Sequence, residues 1–497
     1  MTSLAQSVLS NFAILGSLKI LEKGIGLVST VILARMLTPE DYGLVGIVLV
    51  LVYFAESVAD AGGSQYLIQK SEIDILDINS VFTLNIISKT ILFFLLIYFA
   101  PTVSDFYNKD ELTTALYAIS FTILIRAFSN PGVILLKKDL KFKKIAQIRL
   151  VIKIITFFTV ISLAYLYRNY WALIIVDILS SILLLIGSYI IHEYRPRFSL
   201  MRIKKQFGFS QWIFFKSLIG FLRSQIDRIL IPKFYGIEMA GEYHMARHLA
   251  SLPSQDIIIP ATEPLLSSFS KAKDDMTRFV YQLEMSLVLA MCLVSPIGAV
   301  FYFYSQAIVT ILLGDQWVNS SAILQALSIL VGVSVIGNIV SHACLSMNKP
   351  ALLFFYNLIS FIFLFIALVS FSFLEISDFA LLRVLSELLI LFLFFSYLRK
   401  VFKCKLSMIY LEMGGLMLVA IFSALMGKLL IPEELNHVVY DLGRITLTLI
   451  MYVIFVLCIH IIIYKKTERG IHIEKLFLSN TSSLRAKFIN LFGLKPK

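Results

Sequence analysis

Long apolar runs, separated by short polar connections, set the pattern of this chain. A helix needs about 20 consecutive apolar residues to cross a bilayer, and about fourteen runs of roughly that length can be counted. The pattern therefore predicts about fourteen transmembrane helices. The predicted spans are Asn11–Met36, Tyr42–Ala61, Val81–Ala100, Leu112–Leu135, Gln147–Tyr165, Trp171–Ile191, Ser210–Tyr235, Ala240–Pro260, Phe279–Phe301, Ile323–Met347, Ala351–Val369, Ser377–Phe395, Met408–Leu430 and Leu442–Tyr464.

The composition also indicates a membrane protein. Of the 497 residues, 58% are hydrophobic and 15% are charged, whereas a soluble domain has about 25% charged residues. We therefore predict an all-α polytopic membrane protein. The net charge of +12 does not indicate nucleic-acid binding, because the basic residues lie in the connections between apolar runs, where membrane topology explains them.

The charge of the connections alternates along the chain. Connections after even-numbered spans, together with the C-terminal tail, hold 28 Lys and Arg residues, and those after odd-numbered spans hold 5. Because Lys and Arg concentrate on the cytoplasmic side, both termini are predicted to be cytoplasmic. No cleavable signal peptide is predicted, since the first apolar run is long and ends at Arg35. In the tail, Leu476–Leu494 fits either an amphipathic helix on the inner leaflet or a solvated basic segment.

A weak internal repeat divides the chain. Ile32–Gly43, at the end of the first span, resembles Ile229–Gly241, at the end of the seventh, with an offset of 198 residues. Phe106–Leu116 and Leu312–Leu324 are similarly placed before the fourth and tenth spans. The aligned pairs are Arg35 with Lys233, Glu40 with Glu238 and Gly43 with Gly241. Six spans separate the copies, so both have the same orientation, as in two-lobed transporters.

This repeat gives the predicted domain organisation. It consists of two pseudo-symmetric six-helix lobes at 1–200 and 201–402, two extra helices at 403–464, and a basic cytoplasmic tail at 465–497. We call the first two regions the N-lobe and the C-lobe. Spans thirteen and fourteen fall outside the repeat.

The sequence has none of the usual signatures of catalysis. It contains no phosphate-binding G-x-x-x-x-G-K-[ST] motif, no H-E-x-x-H and no G-x-S-x-G. The seven histidines show no ligand spacing, and the four cysteines are scattered, which is typical of buried thiols. We therefore predict neither an enzyme nor a metal or cofactor site.

Charged residues inside the apolar runs carry the functional signal. In Phe207–Gly236, Lys216, Arg223 and Asp227 fall within an arc of roughly 40° on one helix face. A charge at the bilayer centre costs at least about 2.5–3.5 kcal/mol, so such groups face protein or a wet cavity. This row predicts a water-filled path, and its cationic members suit an anionic substrate such as a pyrophosphate-linked lipid.

The first two spans hold a second set of charges. Lys19, Glu22 and Lys23 lie on one face of the first span, and Glu56 and Asp60 lie one turn apart in the second. The depths of Lys19 and Glu56 match at 1.5 Å of rise per residue. We therefore predict an ion pair between Lys19 or Lys23 and Glu56.

In the second half, Asp227 and Arg247 have matching depths and are predicted to pair, and Arg383 and Glu387, at i and i+4, are spaced to neutralise each other. Each intramembrane charge also has a structural interpretation, as a packing pair or as a side chain that extends to the interface. Further buried candidates are Lys153, Asp177 and Glu284. The predicted substrate-binding residues of a central cavity are Lys19, Lys23, Glu56, Arg126, Lys216, Arg223, Asp227 and Arg247, and the ion-coupling candidates are Glu22, Glu56, Asp60 and Asp227.

Several phrases of the sequence resemble one known family. They are ILARMLTPEDYGLVGIV from Ile32, LKKDLKFKKIAQI (Leu136–Ile148), SQIDRILIPKFYG (Ser224–Gly236) and LLGDQWVNSSAILQALS (Leu312–Ser328). With the predicted spans and lobes, they resemble the Wzx/colanic-acid-exporter-like flippases of the multidrug/oligosaccharidyl-lipid/polysaccharide exporter superfamily. The resemblance covers roughly Leu4–Lys400. The chain departs from the family pattern at Arg228, where a small polar residue usually follows the acidic residue.

The resemblance implies a function. Such proteins move a lipid-linked (undecaprenyl-pyrophosphate) oligosaccharide, such as an O-antigen or exopolysaccharide repeat unit, across a bacterial inner membrane by alternating access. The implied partners are this lipid, membrane lipids, and polymerase and chain-length-regulator proteins of the same pathway. Three alternatives stay open: a cation-coupled multidrug exporter of the same superfamily, an O-antigen polymerase or ligase, and a scaffold role in polysaccharide assembly.

Overall fold

The structure is a computed structural model that describes residues 2–59, 63–70, 73–139, 141–402, 406–431 and 438–459. Helices occupy nearly all of these residues, and no strand occurs among them, which confirms the all-α fold class. The α-helices are α1 (Thr2–Met36), α2 (Pro39–Ala59), α3 (Gly63–Gln69), α4 (Ile75–Tyr107), α5 (Glu111–Ala127), α6 (Gly132–Lys138), α7 (Phe142–Tyr167), α8 (Trp171–Ile191), α9 (Ile203–Leu252), α10 (Ile259–Ala272), α11 (Met276–Phe303), α12 (Ser305–Leu312), α13 (Ser320–Leu327), α14 (Leu330–Ser346), α15 (Pro350–Ser370), α16 (Ile376–Phe402), α17 (Leu406–Leu430) and α18 (Val438–Ile459). A π-helix, Pro253–Ile258, joins α9 to α10, and a 3₁₀ turn, Asp315–Trp317, precedes α13.

Many of these helices match the length of a membrane crossing. Within the described part of the chain, ten helices are long and apolar enough to span, or eleven if α5 and α6, which are bent by 65°, form one broken span. The protein is therefore a multi-pass membrane protein. The number fourteen stays a prediction.

The ends and breaks of the helices follow the local chemistry of the sequence. At the start of α4, the buried carboxylate of Asp77 accepts the backbone N–H of Asp74 at 3.0 Å, which satisfies one of the free donors of a helix N-terminus. Inside α9, Gly236 has φ 85° and ψ 173°, a conformation that a residue with a Cβ rarely adopts. This break falls between the predicted seventh and eighth spans, so α9 consists of two helices, at 203–235 and 237–252.

The chain forms two compact units. Unit 1 comprises Met1–Leu283 and Ser305–Cys404, and unit 2 comprises Glu284–Tyr304 and Lys405–Lys497. The predicted lobes, which divide the chain at residues 200 and 402, stay a prediction.

Unit 1 has a core that joins α2, α4, α5 and α8. Val48, Leu112, Ile119 and Ile174 are each almost completely buried in it. The apolar residues of α5 recur at helical spacing, which turns one continuous stripe toward α2 and α4.

Unit 2 is held by tyrosine hydroxyls that bond neighbouring helices. Tyr304 donates to the carbonyl oxygen of Ala424 in α17 at 3.1 Å and lies 2.9 Å from the hydroxyl of Thr448 in α18. Tyr452 donates to the carbonyl oxygen of Cys292 at 3.0 Å. These bonds join residues 284–304 to the last two helices of the described chain.

Candidate functional site

A three-residue ion cluster lies inside the N-lobe. Arg126 of α5 donates to Glu56 of α2 at 2.8 Å and contacts Asp177 of α8 at 3.2 Å. Its Nε donates to the hydroxyl of Ser181 at 2.9 Å. We call Arg126, Glu56 and Asp177 the Arg126 triad. With all three groups ionised, two carboxylates face one guanidinium, so the triad has an excess negative charge.

Two cavities flank this triad. One, of about 350 Å³, is lined by Glu56 and Arg126, and the other, of about 520 Å³, is lined by Asp177. Arg149 of α7 lines both cavities. The side chains of the triad are 18–25% exposed. The two carboxylates are therefore within reach of water or a small cation from different sides of the same guanidinium.

A second ion cluster lies in the C-lobe around Asp227 of α9. The Asp227 carboxylate, which is 0% exposed, pairs with Arg247, which lies beyond the Gly236 break in α9, and with Arg383 of α16 at 3.4 Å. It also accepts the hydroxyl of Tyr243 at 2.6 Å. Complete burial, hydrogen bonds from Tyr243 and Arg247 and ion pairs with both arginines indicate that Asp227 holds the two arginines in place.

The cluster continues from Arg383 to Arg223. Glu387 accepts from Arg383 at 2.8 Å and pairs with Arg223. The Arg223 guanidinium also donates to Asn357 of α15 at 3.0 Å and lies 4.7 Å from the ring centroid of Tyr356. We call Asp227, Glu387, Arg223, Arg247 and Arg383 the Asp227 cluster. It contains three guanidinium groups and two carboxylates, so its excess charge is positive.

Charged side chains from both lobes meet between α1, α7 and α9. Lys23 of α1 pairs with Asp256 of the π-helix. The Lys153 ammonium of α7 lies over Gly26, 3.8 Å from where a Cβ of that glycine would stand. His248 of α9 is within electrostatic range of Arg228, Asp256, Lys23 and Lys153. This set, which we call the inter-lobe charges, is mainly cationic.

Helices α2 and α9 cross with a very short distance between their backbones. A Cβ added to Gly43 would overlap the carbonyl oxygen of Ile237, and one added to Gly241 would overlap that of Pro39. Each added Cβ would also lie about 3 Å from the backbone nitrogen of the other glycine. Gly43 and Gly241, like Pro39 and Ile237, are separated by the 198 residues of the repeat offset. The backbones therefore meet in a pseudo-twofold contact that only glycine permits.

Matched hydrogen bonds flank this crossing. Arg35, at the end of α1, donates to the carbonyl oxygen of Ile311 at 2.8 Å. Its repeat partner Lys233 donates to the carbonyl oxygen of Phe106 at 2.7 Å. The buried indole of Trp317 donates to the carbonyl oxygen of Ala34 at 2.7 Å. Each lobe thus binds a helix end of the other, at the end of the bundle where α1 ends and α2 begins.

Comparison with known proteins agrees with this fold. The sequence model of the polysaccharide biosynthesis protein family matches residues 32–322, more than half of the chain. The chain belongs to this family. This match confirms the resemblance read from the sequence.

Two relatives and one solved structure illustrate the similarity. The lipopolysaccharide biosynthesis protein WzxC of Escherichia coli (strain K12) is 23% identical over 343 residues, which cover 67% of this chain and 69% of that protein. The succinoglycan biosynthesis transport protein ExoT of Rhizobium meliloti (strain 1021) is 25% identical over 312 residues, 62% of this chain and 63% of that protein. The lipid II flippase MurJ, in an inward closed conformation, superposes with a TM-score of 0.72 at 16% identity, covering 89% of this chain and 98% of MurJ.

The structure assigns partners to most of the predicted site residues. The predicted Asp227–Arg247 pair is present. The predicted pair of Glu56 with Lys19 or Lys23 is wrong, since Glu56 binds Arg126. Matching depths do not fix the direction in which a side chain points: Glu56 points into its own lobe, whereas Lys23 faces the C-lobe.

Other predicted residues have different surroundings. Lys19 is exposed and Glu22 is half-buried beside the larger cavity. Arg228 is half-buried and donates to Gln225 at 3.1 Å. The side chain of Lys216, the residue Asp60 and the tail lie outside the described part of the structure.

Two residues of these clusters, Asp256 and Tyr243, are not among the predicted ones. Asp256 was not singled out, although it stands between Pro253 and Pro260 at the end of a predicted span. Tyr243, which bonds Asp227, had no signal of its own, because a tyrosine in an apolar run is usually a packing residue.

Proposed function

We propose that this protein is a flippase that moves a lipid-linked oligosaccharide, carried on undecaprenyl pyrophosphate, from the inner to the outer leaflet of a bacterial inner membrane. The observation that carries the proposal is the set of inter-lobe charges. Lys23 and Lys153 come from one lobe and Arg228 from the other, and all three lie within electrostatic range of His248. Cations that converge from two lobes suit the two phosphates of such a lipid through charge-assisted hydrogen bonds.

The transport cycle in this proposal is alternating access. The pseudo-twofold contact of Gly43 with Gly241 closes the end of the bundle that the charge pattern predicts to be outer. Opening that end requires the two lobes to separate at α2 and α9, while Lys23 and Lys153 hold the pyrophosphate. The matched bonds of Arg35 and Lys233 would break in the same step.

The Arg126 triad is the proposed coupling site. Among the coupling candidates, Glu56 is favoured because it shares one guanidinium with a second carboxylate, Asp177, so the triad can take up a proton or a small cation. Asp227 is less suited, because two arginines already compensate it. We assign Asp227 the role of ordering Arg247 and Arg383.

The charge pattern also supports an orientation of the protein in the membrane. The 28 basic residues on one predicted side support cytoplasmic termini. The substrate supply implies glycosyltransferases on the cytoplasmic side and a polymerase, with its chain-length regulator, on the other. We propose no catalytic role for the chain itself.

The test is a flipping assay with the purified full-length protein in liposomes. The probe is a fluorescent disaccharide on a short polyprenyl pyrophosphate, and its outer-leaflet fraction is measured by quenching with a membrane-impermeant reagent. We expect the protein to speed exchange of the probe, and the Lys23→Ala/Lys153→Ala variant to lose this activity. Exchange no faster than in protein-free liposomes would overturn the proposal. Transport of a cationic dye in place of the lipid would favour the multidrug exporter.

A further inference from the structure

The ion pair between Lys23 and Asp256 joins the two lobes, and Glu22, the neighbour of Lys23 in the chain, lines the larger cavity. Lys23 belongs to α1, and Asp256 lies 233 residues later in the π-helix. The Lys23 side chain is 58% exposed and that of Asp256 is 22% exposed. An ion pair this open to solvent adds little stability, so another anion can exchange with the carboxylate.

The backbone around Asp256 forms a π-helix, which sets the position of its carboxylate. In the π-helix Pro253–Ile258 the N–H of Ile259 donates to the carbonyl oxygen of Ser254, five residues earlier. Such a wide turn shifts the side chains that follow it relative to a regular α-helix, and π-turns are frequent at functional sites. Here it separates α9 from α10 where the chain passes α1.

The charged side chains near the Lys23–Asp256 ion pair favour binding of an anion at Lys23. His248 lies within electrostatic range of Asp256, Lys23 and Lys153, and Lys153 lies within range of Lys23 and Glu22. Asp256 is therefore the carboxylate that the C-lobe supplies to this cationic set. It stands where an anionic substrate group would have to bind in order to reach Lys23.

We infer that Asp256 occupies Lys23 in place of the substrate pyrophosphate when the cavity is empty, and that it selects for anions strong enough to displace it. This inference rests on the proposed function. A pyrophosphate brings more charge and more acceptor oxygens than a carboxylate and displaces it. A monophosphate competes less well, and a neutral headgroup does not compete. Asp256 is thus a positioning and selectivity residue that acts through Lys23.

The experiment measures binding to the full-length protein in lipid nanodiscs. The probes are farnesyl pyrophosphate, farnesyl phosphate and farnesol, titrated by calorimetry. For Asp256→Asn we expect both phosphates to bind more tightly, by about two- to fivefold, the range of a partly exposed ion pair. Farnesyl phosphate should gain the more, so discrimination between the two phosphates falls.

Three variants separate this role from a structural one. Asp256→Glu keeps the charge and should restore discrimination. Lys23→Ala should weaken pyrophosphate binding, and adding Asp256→Asn to it should have no further effect, which a double-mutant cycle measures. Glu263→Gln, an exposed carboxylate on α10, is the matched control and should leave all affinities unchanged.

The outcomes are distinguishable. Unchanged or weaker binding of both phosphates to Asp256→Asn, in a wild-type background that binds and flips the lipid, overturns this inference alone. Equal gains for all three probes also overturn it, since farnesol carries no charge to compete. A wild-type protein that does not prefer either phosphate over farnesol overturns the inference together with the proposed function.

Discussion

The Arg126 triad and the Asp227 cluster use the same chemistry with opposite excess charge. The triad in the N-lobe has one guanidinium for two carboxylates, and the cluster in the C-lobe has three for two. The triad is partly exposed and flanked by cavities, whereas Asp227 is completely buried. The accessible, negatively charged triad is therefore the site that we propose for coupling, and the buried Asp227 cluster is the one to which we assign a structural role.

The largest effect is expected where this network loses a carboxylate. Asp227→Ala leaves the half-buried Arg247 and the buried Arg383 without their shared counter-charge, so we expect a loss of about 3–5 kcal/mol in the free energy of unfolding. The measurement is thermal unfolding of the purified protein in detergent. Asp177→Asn, at a position in the partly exposed triad, is the control and should lose far less. Equal losses would show that the two clusters do not differ in the way described.

At the α2–α9 crossing the two lobes are expected to respond alike to the same substitution. Gly43→Ala and Gly241→Ala each place a methyl group against the backbone of the other lobe, so each should destabilise the closed contact by about 1–3 kcal/mol. We expect the two effects to be equal because the contact is pseudo-twofold. The readout is labelling of Leu37→Cys, at a position that is buried here, by an impermeant maleimide in a background without the native cysteines.

Two other glycines provide controls for the crossing. A Cβ at Gly24 of α1 or at Gly220 of α9 would have no atom within 4 Å. Gly24→Ala and Gly220→Ala should therefore leave the labelling unchanged. Labelling that rises for only one of Gly43→Ala and Gly241→Ala would contradict the symmetry of the contact.

The triad is expected to affect transport more than stability. Glu56→Gln keeps the shape of the side chain but removes the excess negative charge. Flipping should slow by about 5- to 150-fold, the range of a coupling free energy of 1–3 kcal/mol, and should lose its dependence on an imposed pH gradient. The measurement is the liposome assay with and without that gradient, with Glu263→Gln as the control. An unchanged gradient dependence would place the coupling elsewhere.

Particular residues show which features of the fold and the site can be predicted from the sequence. Hydropathy and residue spacing predict the helical class, the break near Gly236 and the Asp227–Arg247 pair, because these depend on position along one or two neighbouring helices. They do not predict that Glu56 binds Arg126 or that Lys23 binds Asp256, because the rotation of each helix is set by packing across the whole unit. The repeat offset aligns Gly43 with Gly241, but only the three-dimensional structure brings them into contact.

The smallest effect concerns the hydrogen bonds that orient each cluster. Ser181→Ala removes the acceptor of the Arg126 Nε, and we expect a loss of about 1 kcal/mol in unfolding free energy because the guanidinium keeps both carboxylates and is partly exposed. Tyr243→Phe removes the hydroxyl that donates to Asp227. That loss should be larger, about 1.5–3 kcal/mol, since a completely buried charge loses a donor that water cannot replace. Unfolding measurements on both variants compare the two clusters with one hydroxyl removed from each. A larger loss for Ser181→Ala would mean that the triad, and not the Asp227 cluster, is the site that fixes geometry.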